Sequence, residues 1–309
     1  MEGPVVPVES RPVGACAQKT IHVDDGGHPG HEAPPLTPLP QRISIVSRHC
    51  GGGKGVQFRC ACRIILGGVI ELAVSAFDLD ALRVLLNSVG FAHICHLSKE
   101  FDYLSELARL GPLVGQFDGA VVRDVRPDPA VGNSTYSPSN TRELLAHTEW
   151  FEFPGLPPRF VALWSVRTAT GSGGETTLAD AYPFIDGLPA ELRSTLLSRR
   201  YSWGPSVGLA KVGIDYRTKH QLLERVRGEL VIRFPCDDRC LDYDDDMNRF
   251  IELGRAYFAE HSTAVRILED SMLIWDNWRV LHARTAFADT NRHLKRVLIA
   301  DYPTRDSKE

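Results

Sequence analysis

Two hydrophobic rhythms run along the chain. Over residues 79–87 and 101–110 the apolar positions recur at i, i+3 and i+4, the spacing that gives a helix one apolar face. Asp78, an acceptor just ahead of the first pattern, is the expected N-cap. Related patterns predict helices over 189–199, 219–227 and 244–261. The run Asp244-Asp245-Asp246 suits the start of the last one, because the amino end of the backbone dipole favours negative charge. Elsewhere the apolar stretches are short, β-branched or aromatic, and punctuated by Gly, Pro, Asn or Asp. Segments 43–46, 69–72, 89–95, 119–124, 147–153, 160–168, 175–180, 229–234, 272–275, 280–286 and 294–302 read this way, as strands. Many short strands with a few helices predict a mainly β (α+β) fold, an antiparallel sandwich or jelly roll with flanking helices.

Residues 1–40 break both rhythms. They are rich in Pro and Gly and poor in large apolar groups, so they cannot bury enough surface to offset the entropy of ordering. A flexible tail is expected over 1–40 and a single domain over 41–305. The triplet Gly51-Gly52-Gly53 before Lys54 lacks the spacing of a phosphate-binding loop.

With 309 residues, 43% of them apolar and 24% charged, the chain can bury a sizeable core. A net charge of −4 offers no basic excess for phosphate contacts, so nucleic acid is not an expected partner. Seven cysteines without paired C-x-x-C spacing suggest reduced thiols and no structural zinc. No signal pattern or membrane-length apolar run is visible, and a cytoplasmic enzyme is the expectation.

The candidate chemistry lies in His147-Thr148-Glu149 and, far downstream, in Trp275-Asp276-Asn277-Trp278-Arg279-Val280-Leu281-His282-Ala283-Arg284. Two imidazoles and one carboxylate form the facial triad of a mononuclear iron(II) site with open positions. On a strand an H-x-E pair puts both side chains on one side, because side chains alternate with period two. A second copy of the pattern, His22-Val23-Asp24, lies in the Pro/Gly-rich tail with no strand beneath it.

Taken in order, the segment before His147, the Gly173-Gly174-Glu175-Thr176-Thr177 run, the Asp276–Arg284 segment, and Arg292 and Arg296 resemble the TauD/TfdA family of Fe(II)- and 2-oxoglutarate-dependent dioxygenases. The resemblance covers about residues 78–302. It implies a double-stranded β-helix in which His147, Glu149 and His282 hold the iron. It further implies that Arg296 clamps the distal carboxylate of 2-oxoglutarate, with Arg292 as the competing choice for that role. The hydroxyl of Thr176 would support the same carboxylate, and Arg284 would help orient the cosubstrate or O2. Glu149 stands where most of the family has Asp, and a carboxylate there argues against halogenation. Asp276 and Asn277 read as a structural turn feeding the His282 strand.

The implied reaction is hydroxylation of an unactivated carbon in a small polar molecule, such as an amino acid, an amine or a natural-product intermediate, with release of succinate and CO2. Desaturation, cyclisation or epimerisation by the same cofactors is the alternative, as is a metal-dependent lyase or epimerase without 2-oxoglutarate. A jelly-roll binding protein without catalysis is a third class, disfavoured by retention of all three ligand types. The expected partner is a small-molecule substrate, with no membrane and with a homo-oligomer left open. Plainer roles compete at single positions. Arg296 could serve an ordinary salt bridge, and Trp150, Phe151, Phe153 and Trp164 could be core and not pocket wall.

Overall fold

The computed structural model describes residues 60–65, 69–74, 77–116, 118–128, 139–205, 213, 215–236 and 240–301, with the first two segments given as backbone. All lie within the compact unit Gln57–Glu309. The expected tail over 1–40 and the strand over 43–46 fall outside the described residues.

The chain enters through strands β1 (Cys60–Ile65) and β2 (Val69–Val74), helix α1 (Leu79–Val89) and strand β3 (Phe91–Cys95). Helix α2 (Tyr103–Ala108) and the short strands β4 (Leu113–Val114), β5 (Val122–Val125) and β6 (Leu144–His147) follow. Next come β7 (Phe160–Arg167), β8 (Thr176–Asp180), α3 (Tyr182–Asp186) and α4 (Ala190–Ser198). Strands β9 (Tyr201–Trp203), β10 (Thr218–His220), β11 (Leu223–Val226) and β12 (Glu229–Ile232) precede the long helix α5 (Asp245–His261). The chain closes through β13 (Thr263–Val265), β14 (Met272–Asp276), β15 (Val280–Arg284) and β16 (His293–Ile299).

Helix starts follow local chemistry. The Asp78 carboxylate accepts from the Asp80 and Ala81 amides at 3.0 and 3.1 Å, and Asp244 accepts from the Met247 amide at 2.9 Å. Each satisfies amides that the first helical turn leaves without a partner. The expected helix over 219–227 is instead two strands. Arg227 (φ 51°) and Gly228 (φ 88°) make a two-residue hairpin turn that pairs Val226 with Glu229, and the inward Leu222 and Leu223 are fully buried. A hairpin turn that needs positive φ at both positions outweighed a weak helical rhythm. The expected strand over 147–153 is not formed: β6 ends at His147, where that strand was to begin, and the chain turns beyond it, with Trp150 left-handed at φ 61°.

Two antiparallel sheets carry the site. The larger runs β1-β2-β3-β14-β7-β16-β4, with β5 also on β16 and a parallel contact only between β2 and β3. The smaller runs β13-β8-β15-β6. Leu178, Val265 and Val280 of the smaller sheet share one apolar cluster with Val161, Leu163, Leu273, Trp275, Leu294 and Leu298 of the larger. The other face of the smaller sheet, through Ala146, Ala179, Leu281 and Ala283, packs on α3, α4 and α5. Period-two alternation therefore turns Val280, His282 and Arg284 toward the space between the sheets, and Leu294, Arg296 and Leu298 toward it from the opposite side.

Candidate active site

His147 closes β6 and pairs in register with His282 of β15. The ring centroids are 4.2 Å apart, and His282 Nε2 lies 4.0 Å from a Glu149 oxygen. One donor atom from each of the three side chains falls within 4.8 Å of the others, the single such His/Cys/Asp/Glu group among the described residues. Metal–nitrogen bonds of about 2.1 Å would draw these donors somewhat closer.

The donor atoms suit a cation. His147 Nδ1 lies 2.8 Å from the Leu145 carbonyl, which can only accept, so that nitrogen carries a hydrogen and Nε2 is the one left to face a metal. His282 is held neutral: burial, then the neighbouring His147 and Arg296, pushes its pKa well below the usual imidazole range. Its Nδ1 is buried with no hydrogen-bond partner among the described residues. Two imidazoles beside a carboxylate are a donor set that fits a divalent metal.

The tripeptide that carries two of these groups is braced from several directions. Thr148, fully buried, donates its amide to the Phe234 carbonyl (3.1 Å) and accepts the Phe234 amide on its hydroxyl (3.0 Å). Buried Arg233 donates to the carbonyls of Trp150, Phe151 and Gly155 and holds the turn beyond. Asn277 bonds both peptide groups of Glu149.

The predicted cationic residues divide into two groups. Arg296 donates to the second oxygen of Glu149 at 2.8 Å and to Gln116 Oε1 at 2.7 and 3.1 Å. Arg123 stands opposite Arg296 in the β5–β16 register. Burial, then repulsion from Arg296, lowers its pKa while Glu149 raises it. The second group lies around Phe287. Arg284 and Arg292 place their guanidinium carbons 5.1 and 5.2 Å from its ring centre. Burial, then repulsion from Arg292, pulls Arg284 down to about 9, and burial pulls Arg292 down to about 10 against the Glu175 charge, which raises it. Thr176 pairs with Arg284 across β8 and β15 and is buried. Neither the Thr176 hydroxyl nor the Arg292 guanidinium makes a hydrogen bond among the described residues.

All seven residues singled out in the sequence thus sit between the sheets or at their rim, but in two clusters. Gln116 and Arg123 gave no sequence signal, since each reaches the site only through pairing with β16. Asn277 was visible in the motif and read as turn; its bonds to Glu149 tie it to the site.

Among proteins of known character, residues 74–298 match the family model described as taurine catabolism dioxygenase TauD, TfdA family. A comparison with curated protein sequences gives no match. The fold is similar to a crystal structure of asparagine oxygenase in complex with Fe(II), 2S,3S-3-hydroxyasparagine and succinate. That likeness has a TM-score of 0.59 and 17% identity, covering 72% of this chain and 78% of that one. It is also similar to the non-heme iron oxygenase OrfP in complex with Fe and alpha-ketoglutaric acid, with a TM-score of 0.56 and 21% identity over 72% and 79% of the two chains. A further OrfP structure, in complex with (3S)-hydroxy-L-Arg, has a TM-score of 0.57 and 22% identity over 72% and 80%. The family match identifies an iron- and 2-oxoglutarate-dependent oxidoreductase. The chain belongs to the TauD/TfdA dioxygenase family.

Proposed function

We propose that this protein hydroxylates an unactivated carbon of a small polar molecule of amino-acid type on a double-stranded β-helix. The observation that carries the reading is the convergence of His147, Glu149 and His282 within 4.8 Å. The strand orders β14-β7-β16-β5 and β13-β8-β15-β6, face to face over one core, support the jelly-roll description. The amino-acid class rests on the structural neighbours, whose complexes hold hydroxyasparagine and hydroxy-L-Arg. When bound, iron(II) with 2-oxoglutarate supplies the oxidising chemistry, coupling O2 to decarboxylation of the cosubstrate to succinate and CO2.

The residues of the chain bind and orient. His147, Glu149 and His282 would hold the metal, and three protein ligands would leave its remaining positions for small ligands. A dicarboxylate chelating there needs a cation at a distance for its far end. Arg292 is favoured as that clamp: its guanidinium is buried, makes no salt bridge among the described residues although the Glu175 charge acts on it, and lies beside Arg284, which pairs in register with Thr176. A guanidinium fork pairs with a carboxylate through two hydrogen bonds, and a hydroxyl adds a third. Arg296, already engaged by Glu149 and Gln116, is poised to steady the carboxylate ligand. The apolar wall of Val161, Leu163, Trp275 and Leu178 excludes water from the inner side.

The test is succinate release over a panel of amino acids, amines and sulfonates, with Arg292→Ala and Arg296→Ala compared. Arg292→Ala should raise the KM for 2-oxoglutarate at least about tenfold, the loss of a charge-assisted bond worth about 1.5–3 kcal/mol, while metal binding persists. A KM raised by Arg296→Ala alone would move the clamp to Arg296. Absence of succinate in every reaction would overturn the oxygenase reading.

A further inference from the structure

The ladder between β6 and β15 ends at the pair His147–His282, so Glu149 lies beyond it and its peptide groups have no strand partner. Asn277, fully buried between β14 and β15, takes the place of that strand. Its side-chain oxygen accepts the Glu149 amide at 2.6 Å, and its nitrogen donates to the Glu149 carbonyl and the Pro158 carbonyl, both at 3.0 Å. A carboxamide offers an acceptor and two donors in one plane, and here every one is used. Glu149 is followed at once by Trp150 in a left-handed conformation, so the direction of the carboxylate depends on how the 149–150 peptide is held. The turn holding that peptide is also the one that launches the His282 strand.

On the metal-site reading proposed above, we infer that Asn277 is a positioning residue. It copies a backbone partner for Glu149 and fixes the carboxylate relative to His282 through the β14–β15 turn. Groups that orient metal ligands from behind typically change metal affinity 10- to 100-fold when removed. Aspartate keeps the shape and the acceptor but replaces the nitrogen that carries both donors with one oxygen facing two carbonyls. Serine keeps one small hydroxyl.

The experiment is anaerobic calorimetric titration of Fe(II), and of Mn(II) as a redox-stable probe, into the purified full chain. Wild type, Asn277→Asp, Asn277→Ser, His282→Ala and Trp278→Phe are compared, with near-UV circular dichroism to report the fold. Trp278→Phe is the control for the same turn, since it loses the bond from the indole nitrogen to the Pro157 carbonyl (3.0 Å) without touching Glu149. Both Asn277 variants should bind metal at least about tenfold more weakly while Trp278→Phe stays within about twofold of wild type. If Asn277→Asp fails to fold, Asn277→Ser is read against the control alone. Metal affinity unchanged in the folded Asn277 variants, or lowered equally in Trp278→Phe, overturns the inference. Wild type binding no better than His282→Ala would instead overturn the metal-site reading beneath it.

Discussion

At the scale of single residues, the sequence was most informative where chemistry restricts identity. Only a few side chains can ligate iron, so His147, Glu149 and His282 stood out in order, and the structure brings all three together. Gln116, Arg123 and the bracing bonds of Asn277 were not legible in advance, because a contact across more than a hundred residues leaves no local pattern. His220 is similar, an ordinary residue made unusual by its setting. Burial, then Arg233 and Arg200, pushes its pKa down to about 4, against about 6.5 in an unfolded chain. The unfolded chain therefore binds more protons between these values, and the stability His220 contributes is whole above pH 6.5 and lost as pH falls toward 4. Asp276, pushed up to about 6 mainly by burial, acts in the opposite sense, but it does so equally in wild type and variant. Replacing His220 with Asn should flatten the difference in urea midpoint between pH 7 and pH 5. An unchanged difference would show that this imidazole does not control the acid limb.

At the scale of elements, existence was easier to foresee than boundaries. The strands of both sheets follow runs of β-branched and aromatic residues, whereas 219–227 was misjudged because its helical rhythm was weak and the Arg227-Gly228 turn decided the local geometry. Connections matter as much as strands. The loop ahead of β8 wraps around Arg266, which donates to the carbonyls of Ala169, Gly171 and Gly173 and pairs with Glu175. Gly173 sits at φ +83°, where a β-carbon would fall 1.8 Å from the Ala286 carbonyl oxygen. Gly171, at φ +76°, has open space around it. Gly171→Ala should cost only the left-handed penalty, about 1 kcal/mol. Gly173→Ala should cost at least about 2 kcal/mol by urea unfolding, because strain and clash add. By shifting the 286–287 backbone under Arg284 and Arg292 it should also raise the KM for 2-oxoglutarate. Equal losses in the two variants would remove the close approach as a cause.

At the scale of the whole molecule, the site joins what the two sheets hold apart. His147 and His282 belong to the smaller sheet and Arg296 to the larger, while Asn277 sits in the turn that crosses between them. That many short strands would form antiparallel sheets was legible, but which strand pairs with which was not, since pairing is set by long-range burial and not by local preference. A ligand that bridges both sheets binds the folded state alone, so it must stabilise the fold by mass action. At a hundredfold excess over its dissociation constant, metal should add about 2.7 kcal/mol, which for a domain of this size is a rise in Tm of about 5 to 10 °C. Adding 2-oxoglutarate to the metal-loaded protein should raise Tm further, whereas without metal it should raise it little, because half of its binding site is then missing. His282→Ala should lose both increments. Differential scanning calorimetry under anaerobic Fe(II), or with Mn(II), reads all of these. A full shift from 2-oxoglutarate alone, or an equal metal shift in His282→Ala, would place the binding energy elsewhere than between the sheets.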